Sequence, residues 1–181
     1  KENEAFLHFI SAASNPVVSL LIGVLVTAVI QSSSASIGIL QALSATGAIS
    51  YEVAIPMVLG MCIGACVPVL LSAIGTNANG KRTAIIYLYF NIVGSALFMV
   101  PFYLAHAFLG FDFMVLPASA FGIAVFNTVF KVAATLVQLP FTGGLVRLAV
   151  LTIREERSED DQEDQENLLD ENFLDYPPMA L

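Results

Sequence analysis

The sequence predicts an all-α protein that crosses a membrane several times, with some of its helices broken or re-entrant. Three observations carry that reading. Hydrophobic residues make up 57% of the chain and charged ones only 12%, about half the charge of an ordinary soluble domain, where about 25% is usual. No Asp, Glu, Lys or Arg lies between Glu4 and Glu52 or between Glu52 and Lys81, whereas residues 154–175 are crowded with them. Finally, several apolar runs approach the about 20 residues that a helix needs to cross a hydrocarbon core about 30 Å thick.

Charge and cysteine content exclude other classes. The net charge of −8 comes mostly from the run Glu155 to Asp175, which reads as a solvated tail and says little about substrate. Only 7 residues are Lys or Arg; they form no basic stripe, so nucleic-acid binding has no support. Cys62 and Cys66 share a helix face inside an apolar run and read as small buried packing residues, and the only histidines, His8 and His106, are too far off in sequence to complete a metal site. No basic stretch precedes the first apolar run, so no signal peptide is visible. The start at Lys1 and the end at Tyr176-Pro177-Pro178-Met179-Ala180-Leu181 read as internal positions of a longer chain.

Taken in order, Asn15-Pro16 opens a helix with proline at its first position. The apolar arm 17–30 then meets Gln31-Ser32-Ser33-Ser34, and a second arm follows over 35–46. Each arm is too short to span, yet one helix over 17–46 would be about 45 Å long, more than the core requires. A break at the serines resolves the conflict. Two short arms meeting at a polar tip form a re-entrant hairpin, tolerated only where the tip is buried in protein or faces water.

Ser50 is placed to cap the next helix, with Glu52 in its first turn. The run 53–74 is long enough to cross, but Gly60, Gly64 and Pro68 interrupt it, which predicts an unwound or kinked centre. Residues 76–80 read as a loop, followed by Lys81-Arg82 and by the cleanest span, 83–105. A segment around Gly110 to Pro117, carrying Asp112, turns the chain back. The last helix starts at about Ala118 and runs through Pro140 towards Val150, with Pro140 bending or ending it. Two crossings separate Lys81-Arg82 from Arg147, Arg154 and Arg157, so both basic groups fall on one side. The positive-inside tendency makes that side, and the acidic tail, cytoplasmic. Residues 1–152 thus form the membrane unit, 153–167 an acidic linker, and 168–181 the start of a further helical domain. A weak internal echo relates Ala84, Tyr87, Phe90 and Asn91 to Ala124, Asn127, Phe130 and Lys131 at the same spacing.

Chemistry concentrates at Gln31-Ser32-Ser33-Ser34-Ala35-Ser36, because amides and hydroxyls at membrane depth are costly unless something uses them. Hydroxyls and free backbone amides at a helix N-terminus hold an oxyanion without a fixed charge, and neutral oxygens replace the water around a sodium ion. The interruption at residues 60–68 is a second candidate, since discontinuous helices offer dipole ends and unpaired carbonyls near the midplane. It adds Cys62 and Gly64 to the site residues, and the span 83–105 adds Asn91. Lys131 reads as facing a cavity or snorkelling to an interface. A serine hydrolase lacks support, because neither histidine has a carboxylate placed to orient it and no Gly-x-Ser-x-Gly turn is present.

The run Thr27-Ala28-Val29-Ile30-Gln31-Ser32-Ser33-Ser34-Ala35, the following Gly47-Ala48-Ile49-Ser50, and Arg82-Thr83-Ala84 leading to Phe90-Asn91 resemble the type II family of sodium-dependent phosphate cotransporters, over residues 15–141. The resemblance implies one half, the second repeat, of an inverted-repeat transporter in the cell membrane, with an N-terminal repeat as its partner. It implies sodium-coupled import of inorganic phosphate and no enzyme activity, with sodium as coupling ion and no other cofactor. Gln31, Ser32, Ser33, Ser34, Ser36, Cys62, Gly64 and Asn91 become the expected substrate and ion ligands, with sodium at Gln31, Ser33 and Ser34. The acidic linker would lead into a domain similar to a phosphate-uptake regulator, and a homo-oligomer is among the assemblies left open. Two places depart from the family pattern. Family members commonly show Gly-x-Asn-Ile-Gly-Thr where this chain has Gly60-Met61-Cys62-Ile63-Gly64-Ala65, and His-Thr-x-Phe-Asn where it has Asn127-Thr128-Val129-Phe130-Lys131. An amide and a hydroxyl suited to ion ligation thus become a thiol and a methyl, which leaves open a second reading: a transporter-derived phosphate sensor or scaffold.

Overall fold

The computed structural model describes residues 14–154. The linker and tail helix expected beyond Arg154 lie outside the described residues, as does His8. The described chain is helical: α1 (Pro16–Ile30), α2 (Ser33–Ser44), α3 (Tyr51–Gly64), α4 (Cys66–Ser72), α5 (Ala78–Leu109), α6 (Ala120–Gln138) and α7 (Thr142–Thr152), with 3-10 turns at Asp112–Val115 and Leu139–Phe141. Three stretches are long and apolar enough to cross a membrane: Tyr51–Ser72, Ala78–Leu109 and Ala120–Thr152. Helix α1, at 15 residues, extends only about 22 Å and falls short.

The first break is where the serines placed it. Asn15 caps α1 by accepting from the Val17 N–H at 2.9 Å, with Pro16 at the first helical position. The helix stops at Ile30 because Gln31 takes φ +59°, the left-handed region, where its N–H still reaches the Thr27 carbonyl at 2.7 Å. Ser32 is extended and starts α2 as its cap, its hydroxyl accepting from the Ala35 N–H at 3.3 Å. A glutamine in that conformation costs about 1–2 kcal/mol that glycine would not.

The hairpin lies against α3. A Cβ on Gly60 would meet the Leu20 carbonyl, and one on Gly64 would meet the Val24 carbonyl at 2.5 Å. Residue numbers rise together along this contact, so α1 and α3 run parallel, with Gly23 closing it from the other side against the Met57 carbonyl. Helix α2 returns towards the start of α3, where Ile37 and Leu40 join Val53, Ala54, Met57, Val58 and Ile123 in the main core. Both ends of the hairpin therefore lie at one end of the molecule. There the Ala118 N–H donates to the Ile49 carbonyl at 2.8 Å and the Tyr51 N–H to the Leu116 carbonyl at 3.1 Å, tying the α2–α3 link to the start of α6. At the opposite end the Arg82 Nε donates to the Ile153 carbonyl at 3.2 Å and the Tyr89 hydroxyl meets the Thr152 hydroxyl at 2.8 Å. The basic residues at the start of α5 and the end of α7 thus share one end.

Several expectations are refined. The interruption in the second span is a kink of one residue, Ala65, which itself stays near helical geometry with φ −62° and ψ −15°; the helix does not unwind. The loop expected over 76–80 is shorter, because Asn77 caps α5 by accepting from the Gly80 N–H at 3.0 Å, so the helix starts at Ala78 and Lys81-Arg82 sit within it. Ser50 occupies the cap position of α3 without a side-chain cap hydrogen bond. Pro140 lies in the 3-10 turn that separates α6 from α7.

Candidate functional site at the hairpin tip

The tip gathers Gln31, Ser32, Ser33, Ser34 and Ser36, but they do not share one task. Ser32 serves as the cap of α2, and the buried Ser36 donates to the Ser32 carbonyl at 2.9 Å, so both are committed to holding the turn. Gln31 and Ser34 are exposed and Ser33 half-buried. None of these three side chains hydrogen-bonds to a described residue. They surround the N-terminus of a 12-residue helix, where free N–H groups and the helix dipole favour negative charge.

One turn back, Thr27 is fully buried and its hydroxyl has no partner among the described residues. Its side chain rests on Gly64: a Cβ there would lie 2.9 Å from that of Thr27. Pro68 has no N–H to give the Gly64 carbonyl, four residues earlier, its ordinary helical bond. An unpartnered buried hydroxyl and, on the neighbouring helix, a carbonyl without its usual helical donor therefore lie near the tip. Sequence reasoning missed Thr27, and the only available signal was its place four residues before Gln31 in an otherwise apolar helix.

Cys62 and Asn91 are not brought to the tip. They gather with Cys66 and Asn127 on the side of the kink that meets α5 and α6. The Asn91 amide donates to the Tyr87 carbonyl at 2.9 Å and to the Cys66 sulfur at 3.4 Å, while the Cys62 thiol points at the Asn127 side-chain oxygen at 3.9 Å. Both thiols are buried and unoxidised. Soft sulfur suits sodium poorly, and no group of three or more His, Cys, Asp or Glu occurs among the described residues. The donor set that fits a hard monovalent cation is the neutral oxygen of Gln31, Ser33, Ser34 and Thr27 with nearby carbonyls.

Helix α6 passes the tip in a fixed register. The Gln41 amide donates to the Ala120 carbonyl at 3.0 Å, and Ile37 shares a core cluster with Ile123, so numbers fall on α2 as they rise on α6. One further turn brings Ser33 and Ser34 level with Asn127, and Lys131 follows one turn beyond.

A family model described as Na+/Pi-cotransporter matches residues 3–121. The chain is 38% identical over 135 residues to the protein named Uncharacterized protein YqeW of Bacillus subtilis, covering 75% of this chain and 43% of that protein. It is 30% identical over 173 residues to the Escherichia coli protein named Putative inorganic phosphate export protein YjbB, covering 96% of this chain and 31% of that one. Sodium-dependent phosphate transport protein 2B of Homo sapiens is 33% identical over 105 residues, 55% of this chain and 15% of its own length. The chain thus spans less than half the length of these relatives. No solved structure gives a significant match. With more than half of its residues matched by the family model, the chain belongs to the Na+/Pi-cotransporter family.

Proposed function

We infer that the protein of which this chain is a part carries inorganic phosphate across the cell membrane together with sodium, and that the hairpin tip is this half's contribution to the site. The observation that carries the reading is the break at Gln31: a residue held at φ +59° between two apolar helices, with the side chains of Gln31, Ser33 and Ser34 unpartnered among the described residues beside a helix N-terminus. Strain and unpaired polar groups persist in such a place when a ligand uses them. Phosphate meets Ser33, Ser34 and the amides of α2, while sodium is coordinated by Gln31, Ser33 and Ser34. The names of the relatives in the human and Escherichia coli proteomes support phosphate as cargo.

Inward transport is the direction that an inward sodium gradient drives. One relative is named for export, so the assay reads both directions. The shared end of Lys81, Arg82 and Arg154 is cytoplasmic by the positive-inside tendency, which makes the hairpin enter from the outer face. Full-length protein in proteoliposomes, given radiolabelled phosphate with and without a sodium gradient, should accumulate label only with sodium. No movement of phosphate in either direction under any cation gradient would overturn the reading and favour the sensor, an alternative motivated by the thiol and methyl at Cys62 and Ala65.

A further inference from the structure

Lys131 is a charge within the spans that the reading above leaves without a task. It lies eleven residues into α6, about 16 Å along the helix, well inside the Ala120–Thr152 span. The other charges among the described residues sit towards the ends of spans or in connectors: Glu52 in the first turn of α3, Lys81 and Arg82 near the start of α5, Asp112 in a 3-10 turn, Arg147 in α7, near the end of the Ala120–Thr152 span, and Arg154 beyond it. Lys131 is exposed on this half of the protein. At that depth an ammonium facing lipid is costly and too far from either surface to snorkel fully, so its face belongs to protein or to a water-filled path.

The register of α2 against α6 says which face that is. Asn127, one turn before Lys131, meets Cys62 beside the kink, and Lys131 is close enough to act electrostatically on the same Cys62. Ser33 and Ser34 are level with Asn127 through the Gln41–Ala120 and Ile37–Ile123 pairs. Carried one turn further, that register sets Lys131 on α6 beyond the level of the hairpin's end. We propose that the Lys131 ammonium is the fixed positive charge of the anion site, a substrate-binding residue that meets a phosphate-class oxyanion beside Ser33 and Ser34.

The proposal rests on the transport reading only for the identity of the anion. A resident cation supplies charge that the site would otherwise take from a bound sodium ion.

The test uses detergent-solubilised full-length protein and inorganic phosphate, with sulfate and chloride at matched ionic strength. Phosphate should raise the melting temperature of the wild type; Lys131→Gln should need about tenfold more phosphate or more for the same shift, and Lys131→Arg should stay close to wild type. Independently of any variant, phosphate should slow acetylation of Lys131 relative to Lys81, read by mass spectrometry on the wild type. A Lys131→Gln protein stabilised at wild-type phosphate concentrations, a wild type that no anion stabilises, or equal acetylation of Lys131 with and without phosphate would each overturn the assignment. An intact, Lys131-dependent anion shift in a protein that moves no phosphate would support the assignment and count against the transport reading.

Discussion

The side-chain amide of Asn91 lies 3.4 Å from the sulfur of Cys66, so the middle of α5 grips the second span one residue past its kink. On the other side Cys62 faces Asn127 of α6. Two asparagines from two spans thus meet two thiols one turn apart.

Asn91→Ala removes a donor that serves both the Tyr87 carbonyl and the Cys66 thiol. The expected cost is about 1 kcal/mol, since polar contacts between membrane helices average less than that and reach about twice it at most. Thermal unfolding in detergent reads it, and an unchanged melting temperature would show that the amide does not hold the kink.

Gly60→Ala puts a methyl group where the Leu20 carbonyl already lies. Backbone cannot yield as a flexible side chain can, so α1 has to move off α3, at a cost of about 1–3 kcal/mol or more. Gly38, with open space around its Cβ position, is the control: Gly38→Ala should leave the melting temperature unchanged or raise it.

Pro68→Ala returns an N–H to the Gly64 carbonyl and straightens the second span. Stability should hold or rise, because proline inside a helix costs about 3 kcal/mol, while phosphate uptake should fall. Uptake at the wild-type rate with a straightened helix would remove the kink from the mechanism.

Ser33→Ala and Ser36→Ala should part company. The Ser33 side chain has no partner among the described residues, so its loss should weaken phosphate or sodium affinity by about tenfold, the scale of one hydrogen bond to an ion, with the protein still inserted. Ser36 bonds the Ser32 carbonyl, so its loss should act on the turn and lower stability along with uptake. Equal phosphate and sodium affinities in Ser33→Ala and the wild type would put the site elsewhere.

Much of this fold is legible in the chain because membranes punish half-measures. Arms of 15 and 12 residues are each too short to cross, and the polar run Gln31 to Ser34 at their junction leaves a hairpin as the remaining solution. The kink was equally visible in Gly60, Gly64 and Pro68. Partnerships were not: Gly60 and Gly64 read as a place to unwind, whereas their missing side chains let two backbones touch. Asn77 looked like part of a loop because the same amide that favours turns also caps helices. The missing partner of the buried Thr27 hydroxyl and the register of α6 against α2 depend on which helices neighbour each other, and spacing along one chain does not carry that.

The glycine seam between α1 and α3 has a mechanical meaning. Where carbonyl oxygens of one helix fit against bare Cα atoms of another, there is no layer of side chains to shear, and the pair behaves as a single rigid strut. Any rocking that presents the serines first to one compartment and then to the other carries α3 along with the hairpin, so the sliding surface belongs to the side-chain-packed boundary with α5 and α6.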